Sequence, residues 1–140
     1  MPHKKDLDSF RGEMGETIVI YELLKRGWNV FRNMGGRGYD LRAVSEDNMI
    51  TRQIEIKTTD PKLKTGATKN QLTVVLSAAE RDNASHCIFY VHGYNAFFII
   101  PKDKFPPGGS ITVHVSKANP DLLSEGTMFE PFKNKWNGLK

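Results

Sequence analysis

The sequence predicts a mixed α/β fold in which helices flank a β-sheet. Apolar residues recur at helical spacing over residues 9–26, which is typical of an amphipathic helix. Three segments of strand length follow, over residues 28–32, 39–45 and 49–57, and the third alternates polar and apolar side chains. A helix, three strands, a second helix and further strands indicate one mixed sheet covered by helices.

The first helix is expected to begin near Asp8 or Ser9 and to end before Gly27, because these residue types favour the two ends of a helix. Its charged side chains fall opposite an apolar stripe. The stripe comprises Phe10, Met14, Ile18, Tyr21 and Leu24.

A second helix is predicted over residues 68–81, since Thr68 and Gln71 have the spacing of a capping box. Beyond it, residues 88–91, 96–100 and 111–115 are predicted strands. The aromatic side chains Phe129, Phe132 and Trp136 are expected to cover an exposed side of the core, although Pro131 argues against one continuous helix through them.

The chain has 140 residues and a formal net charge of +4, so we expect a single domain, with a core over residues 9–101 and an extension over 102–140. The mildly basic charge makes nucleic acid a natural partner, but many proteins that bind none carry a similar excess of lysine. One cysteine, Cys87, forms no internal disulfide or zinc cluster, and we interpret it as a core residue. No apolar run is long enough to cross a membrane, so a cytoplasmic protein is expected, either associated with the nucleoid or encoded by a phage in its host.

Asp40, Glu55 and Lys57 are the most informative residues. Residues 53–57 alternate polar and apolar side chains, so Glu55 and Lys57 share one face of a strand and the isoleucines share the other. Asp40 belongs to the preceding predicted strand. Charged groups near a core are costly unless they are paired or bind a metal, so the three residues form a candidate site for a hard cation that faces a phosphate.

Such a site would bind Mg²⁺ or Mn²⁺ through the carboxylates of Asp40 and Glu55, because hard cations prefer oxygen ligands. The Lys57 ammonium would stabilise negative charge on the phosphate. On these residues alone, a surface pair of Glu55 and Lys57 beside a hairpin aspartate remains an equal alternative.

The first helix offers a further acid. Glu13 falls on its apolar arc and Glu16 at the shoulder of that arc, which is unusual for carboxylates. One of them is expected to reach the metal directly or through water. Alternatively, either acid stabilises the positive N-terminal half of the first helix.

The order of these residues resembles the PD-(D/E)XK nuclease superfamily, and the first sixty residues resemble archaeal-type Holliday junction resolvases and restriction-endonuclease-like proteins. The resemblance selects Glu16 as the helix acid, and Tyr39 replaces the proline of the motif. It implies a restriction-endonuclease-like core and Mg²⁺-dependent hydrolysis of phosphodiester bonds in DNA. The later strands are expected as a C-terminal addition to that core, and a homodimer is expected because two nicks on two strands need two sites. The resemblance further implies that the Ile56 carbonyl assists the metal ligands and that Gln71 lies near the attacking water.

A rim of basic residues around the site is predicted to bind the DNA backbone, unless it is merely a solvated loop. The rim comprises Arg37, Arg42, Lys62, Lys64 and Lys69. Two alternatives stay open: a noncatalytic nucleic-acid-binding or assembly module with the same fold, and a ribonuclease.

Overall fold

We describe a computed structural model of the chain, which covers residues 4–35, 38–60, 71–116, 123 and 128–140, with side chains from Phe10 onward. Two α-helices and seven strands make up its regular structure, with short 3-10 helices at Lys102–Lys104, Glu130–Phe132 and Trp136–Leu139. In chain order these are α1 (Lys4–Lys25), β1 (Asn29–Arg32), β2 (Leu41–Val44), β3 (Thr51–Thr59), β4 (Gln71–Val75), α2 (Ala78–Asn83), β5 (His86–Val91), β6 (Ala96–Pro101) and β7 (Ser110–His114).

Five strands form a mixed central sheet in the order β1-β2-β3-β5-β6. Strands β1, β2 and β3 form an antiparallel meander, β5 lies parallel to β3, and β6 returns antiparallel to β5. A turn over residues 45–48 joins β2 to β3, with Asn48 in the left-handed region at φ 61°. Strands β4 and β7 pair antiparallel as a separate two-stranded sheet.

Each face of the central sheet is covered by its own apolar cluster. Val19 and Leu23 of α1 pack against Ile54 and Ile56 on one face. Leu72 and Val113 of the two-stranded sheet pack in a second cluster together with Cys87 and Phe89 of β5. Because both faces are covered, β5 is buried along its whole length, and the prediction that Cys87 is a core residue is confirmed.

The buried side of α1 differs from the predicted stripe. Val19 and Leu23 are fully buried, whereas Phe10, Tyr21 and Leu24 are 66%, 63% and 55% exposed. Apolar residues occupy more than one arc of this helix, so periodicity alone left its rotation undecided. The close approach of α1 to β3 determines the rotation of the helix, because Gly15 touches β3. A Cβ atom at this glycine would clash with the Thr58 Oγ1 atom. The helix also begins earlier than predicted, at Lys4.

The second helix is shorter and later than predicted. Residues 71–75 form strand β4, so the predicted helix over residues 68–81 and its Thr68–Gln71 capping box are wrong; residues 68–70 lie outside the described part of the chain. The helix α2 instead has Ser77 as N-cap and Glu80 at the third position, with both hydrogen bonds of a capping box present. Both spacings occur in the sequence, and the alternation from Gln71 to Val75 with buried Leu72 favours a strand there.

The last residues pass over β6, which is an edge of the central sheet. The backbone amide of Asn134 donates to the Phe97 carbonyl, and the Asn134 side chain accepts from the Phe97 amide at 2.9 Å. Phe129 and Phe132 pack on the face that carries Cys87, and Trp136 and Leu139 pack on the face that carries α1. The prediction that the tail aromatics cover the core is confirmed, and they do so on both faces.

None of the helices in the described residues is long and apolar enough to span a membrane.

Candidate functional site

The site lies where β2 begins, beside the middle of β3. Asp40 directly precedes β2, and its backbone amide donates to the Ile54 carbonyl at 2.9 Å, so it continues the ladder between the two strands. Two residues further along β3, the Ile56 amide donates to the Asp40 Oδ2 atom at 2.7 Å. The local pairing therefore fixes the Asp40 carboxylate against the backbone of Ile56.

Alternation along β3 places Glu55 and Lys57 on the face opposite Ile54 and Ile56, as predicted. Glu55 is a buried charged residue, at 6% exposure, and its Oε1 atom lies 3.8 Å from the Lys57 Nζ atom. Burial and the neighbouring Asp40 carboxylate raise the pKa of Glu55 to about 9, despite the opposing effect of Lys57. At neutral pH, Glu55 therefore holds a proton that a bound cation would displace.

Glu16 reaches this edge from α1. Burial and the charge of Asp40 raise the pKa of Glu16, and the Arg32 guanidinium opposes that rise. The Arg32 Nη1 atom lies 2.9 Å from the Glu16 Oε2 atom. The structure thus brings the three predicted acids, Glu16, Asp40 and Glu55, to one place, whereas Glu13 is exposed.

Two further residues of this region were absent from the sequence prediction. Glu80 of α2 contacts Lys57 through both oxygens, at 3.0 and 3.2 Å, and Arg32 of β1 pairs with Glu16. The Ser77-x-x-Glu80 spacing was the signal in the sequence that could have identified Glu80. Burial alone would raise the pKa of Glu80, but hydrogen bonds from the Ser77 backbone and from Lys57 bring it below its ordinary value.

Helix α2 also packs against the loop that leads to Asp40. Gly38 has φ +80°, and a Cβ there would lie 2.7 Å from the Ala79 carbonyl oxygen and 2.6 Å from the Asn83 Cβ. Only glycine accommodates both this backbone conformation and this close packing. A single short helix therefore touches the segments that carry Asp40 and Lys57.

The donor set fits a magnesium-like cation. No group of three or more His, Cys, Asp or Glu side chains is arranged as a metal site among the described residues, but Mg²⁺ commonly uses one or two carboxylates and keeps several waters. Two close carboxylates, one of them with a strongly raised pKa, supply the negative charge that such an ion requires. The register also directs the Ile56 carbonyl toward the Asp40 edge, because N–H and C=O of one strand residue point the same way.

The remaining predicted residues are Gln71 and the basic residues of the rim. Gln71 begins strand β4 and is exposed, so the prediction of a helical glutamine is wrong, and the reason for placing it beside the water is lost with it. Arg42 is exposed on β2, with its guanidinium 5.2 Å from the centre of the Phe31 ring. Arg37, Lys62, Lys64 and Lys69 lie outside the described residues.

Two solved structures share this arrangement of helices and strands. The bacterial homing endonuclease I-Ssp6803I superposes with a TM-score of 0.72 at 20% identity, over 98% of this chain and 91% of that one. The Holliday junction resolvase Hjc of Archaeoglobus fulgidus superposes with a TM-score of 0.54 at 18% identity, over 74% of this chain and 83% of that one.

The mixed α/β fold of the chain, with its five-stranded sheet flanked by helices, matches the restriction-endonuclease-like fold of these two structures. The predicted fold class is thereby confirmed. No protein-family model matches the sequence, and no curated protein matches it. At these identities the likeness concerns the fold, and the chemistry has to be argued from the residues of the site.

Proposed function

We propose that the protein is a divalent-metal-dependent DNA endonuclease. The observation that carries this proposal is the meeting of Asp40, Glu55 and Lys57 at the start of β2, where the Asp40 carboxylate is held by the Ile56 amide. Two carboxylates beside an ammonium suit a cation that faces a phosphodiester. Both structural neighbours are DNA-processing enzymes by name, which supports the same substrate.

Asp40 and Glu55 would hold Mg²⁺ or Mn²⁺ with the Ile56 carbonyl, and Glu16 would contact it through water. A bound cation supplies positive charge to the phosphate and lowers the pKa of a coordinated water. Lys57 stabilises the charge that develops on the phosphate oxygens in the transition state. The buried position of Glu55 strengthens these interactions, because they are weakly screened there.

The test is cleavage of a DNA panel by the purified protein in Mg²⁺, Mn²⁺ or EDTA. The panel contains a library of random duplexes, nicked and flapped duplexes, four-way junctions and matched RNA duplexes. We expect cleavage of DNA in either metal and none in EDTA. Junction-selective cutting would indicate a resolvase-like substrate, and cutting at defined duplex sequences a restriction-like one.

Substitution of the site separates catalysis from binding. Asp40→Ala and Lys57→Ala should reduce cleavage to a residual rate measurable only at high enzyme concentration, while DNA binding in Ca²⁺ and the thermal midpoint stay near those of the wild type. The matched controls are Asp103→Ala and Lys104→Ala, which change exposed residues after β6 and should cut normally. Binding without cleavage by the wild type in every metal would favour the noncatalytic module, and cleavage of RNA alone would favour the ribonuclease.

A dimer is part of the same proposal, because cutting both strands of a duplex requires two sites. Sedimentation of the free protein and of its complex with a cleaved duplex would test it.

A further inference from the structure

The Lys57 ammonium is held by Glu80 rather than by the acids of the site. Its distances to the two Glu80 oxygens are 3.0 and 3.2 Å, against 3.8 Å to the Glu55 Oε1 atom. Both partners are well shielded, with side chains 23% and 19% exposed. A shielded, two-pronged contact fixes a flexible lysine more firmly than an exposed ion pair does.

Glu80 is itself fixed by the start of α2. Its Oε1 atom accepts the Ser77 amide at 2.7 Å, and its own amide donates to the Ser77 hydroxyl at 3.2 Å. The carboxylate therefore cannot follow Lys57 if the lysine moves, and it defines where the ammonium lies. Since α2 also packs against Gly38 in the loop before Asp40, the lysine and the aspartate take their positions from the same helix.

From this geometry we infer that Glu80 is the positioning residue of Lys57. Glu80 holds the ammonium where it can face the phosphate of the proposed substrate. It also keeps the ammonium away from Glu55, the acid with which the metal ion must pair. The inference rests on the proposed function for its kinetic consequence, but the contact between the two side chains is a property of the protein alone. Without the Glu80 carboxylate, Glu55 becomes the acid beside the ammonium, and the lysine would compete with the metal for it.

Two variants separate this role from helix capping. Glu80→Gln keeps an oxygen that accepts the Ser77 amide but removes the charge that faces Lys57. Ser77→Ala removes the hydroxyl of the capping box but leaves the charge and the Ser77 amide in place. We expect Glu80→Gln to lower kcat about 10- to 100-fold, the scale of a misplaced catalytic group, with KM for DNA unchanged. Ser77→Ala should lower the thermal midpoint and leave kcat unchanged.

A double-mutant cycle with Lys57→Ala tests whether Glu80 acts through the lysine. The loss of kcat from Glu80→Gln should disappear in the Lys57→Ala background. In that background, kcat is measured from the residual cleavage rate at high enzyme concentration. Glu80→Asp, which keeps the charge on a shorter side chain, should restore part of kcat. Independent, multiplicative losses in the cycle would overturn the inference.

A second readout requires no cleavage. In the metal-free protein, amine labelling followed by mass spectrometry should find Lys57 protected relative to Lys104, and Glu80→Gln should reduce that protection while Ser77→Ala preserves it. Unchanged protection in Glu80→Gln would overturn the inference whether or not the protein cuts DNA. A wild type that cuts no substrate would refute the proposed function, and the labelling result would still decide the contact.

Discussion

At the scale of single residues, the most consequential group is Glu55. It is buried on β3 and shares its surroundings with Asp40, and these two effects raise its pKa from an ordinary value of 4.5 to about 9. Between these two values the folded protein binds more protons than the unfolded chain. The free energy of unfolding of the metal-free protein should therefore fall as pH rises through this range, as far as Glu55 is concerned.

The substitution Glu55→Gln tests this dependence, because glutamine imitates the protonated acid. At pH 8 in EDTA the variant should be more stable than the wild type by about 1–3 kcal/mol, because the wild type must take up a proton on folding at that pH. At pH 5 the two proteins should be nearly equal. Urea denaturation at both pH values measures the difference, with Glu46→Gln on the exposed hairpin as control. A difference that does not change with pH would contradict the prediction.

At the scale of elements, the site depends on how closely α1 approaches β3. Gly15 lies against Thr58, and the residue after it is Glu16, so the helix contact and the position of the third acid are linked. Gly12 lies on the same helix, one turn earlier, and a Cβ there would meet nothing within 4 Å. The two glycines form a natural pair for comparison.

Gly15→Ala should destabilise the protein by about 1–3 kcal/mol, since the added methyl group overpacks a tight contact. Gly12→Ala should stabilise it by about 0.5–1 kcal/mol, because alanine favours a helix interior. Urea denaturation compares the two variants with the wild type. Equal stabilisation by both would show that α1 does not lie against Thr58.

An element could be predicted from the sequence where local patterns determine it. An element that depends on contacts between distant residues could not. The strand β3 was predictable because alternation from Gln53 to Lys57 is a local property, and so was the pairing of faces for Glu55 and Lys57. The sequence contains two capping-box spacings, Thr68–Gln71 and Ser77–Glu80, and the burial of Leu72 against β7 decided between them. The partner of Lys57 followed from that decision, so Glu80 could not be identified from local pattern alone.

At the scale of the whole molecule, the C-terminal residues join the two faces of the sheet. Leu139 is fully buried, and its carbonyl accepts from the Arg52 Nε atom at 2.7 Å. The adjacent Gly138 carbonyl lies 3.0 Å from the His86 Nε2 atom. These contacts tie the last residues to the beginnings of β3 and β5.

Leu139→Ala should therefore lower the free energy of unfolding by about 2–5 kcal/mol, as removal of a buried leucine does. Asn137→Ala, on the exposed side of the same 3-10 helix, should change it by less than about 0.5 kcal/mol. Thermal and urea denaturation would measure both variants. A loss below about 1 kcal/mol for Leu139→Ala would show that this segment adds little to the core.

The charge of the molecule predicts how it binds its proposed substrate. With a net charge of +4, affinity for DNA should fall as salt increases, because lysine and arginine release counterions from phosphates. Arg42→Ala should weaken binding to all sequences and reduce the salt slope by about one, in contrast to Lys104→Ala. Binding titrations at several salt concentrations in Ca²⁺ would measure this, and an unchanged slope would exclude Arg42 from the phosphate contacts.

The passage of the last residues over β6 has a consequence for association between molecules. Asn134 uses its backbone and side chain to satisfy the amide and carbonyl of Phe97, so an incoming chain finds those groups already engaged. At the other end of the five-stranded sheet, β1 has a neighbour on one side only within the described residues. We therefore expect a foreign strand that extends this sheet to dock more readily along β1 than along β6, next to Arg32 and the Glu16 carboxylate with which it pairs.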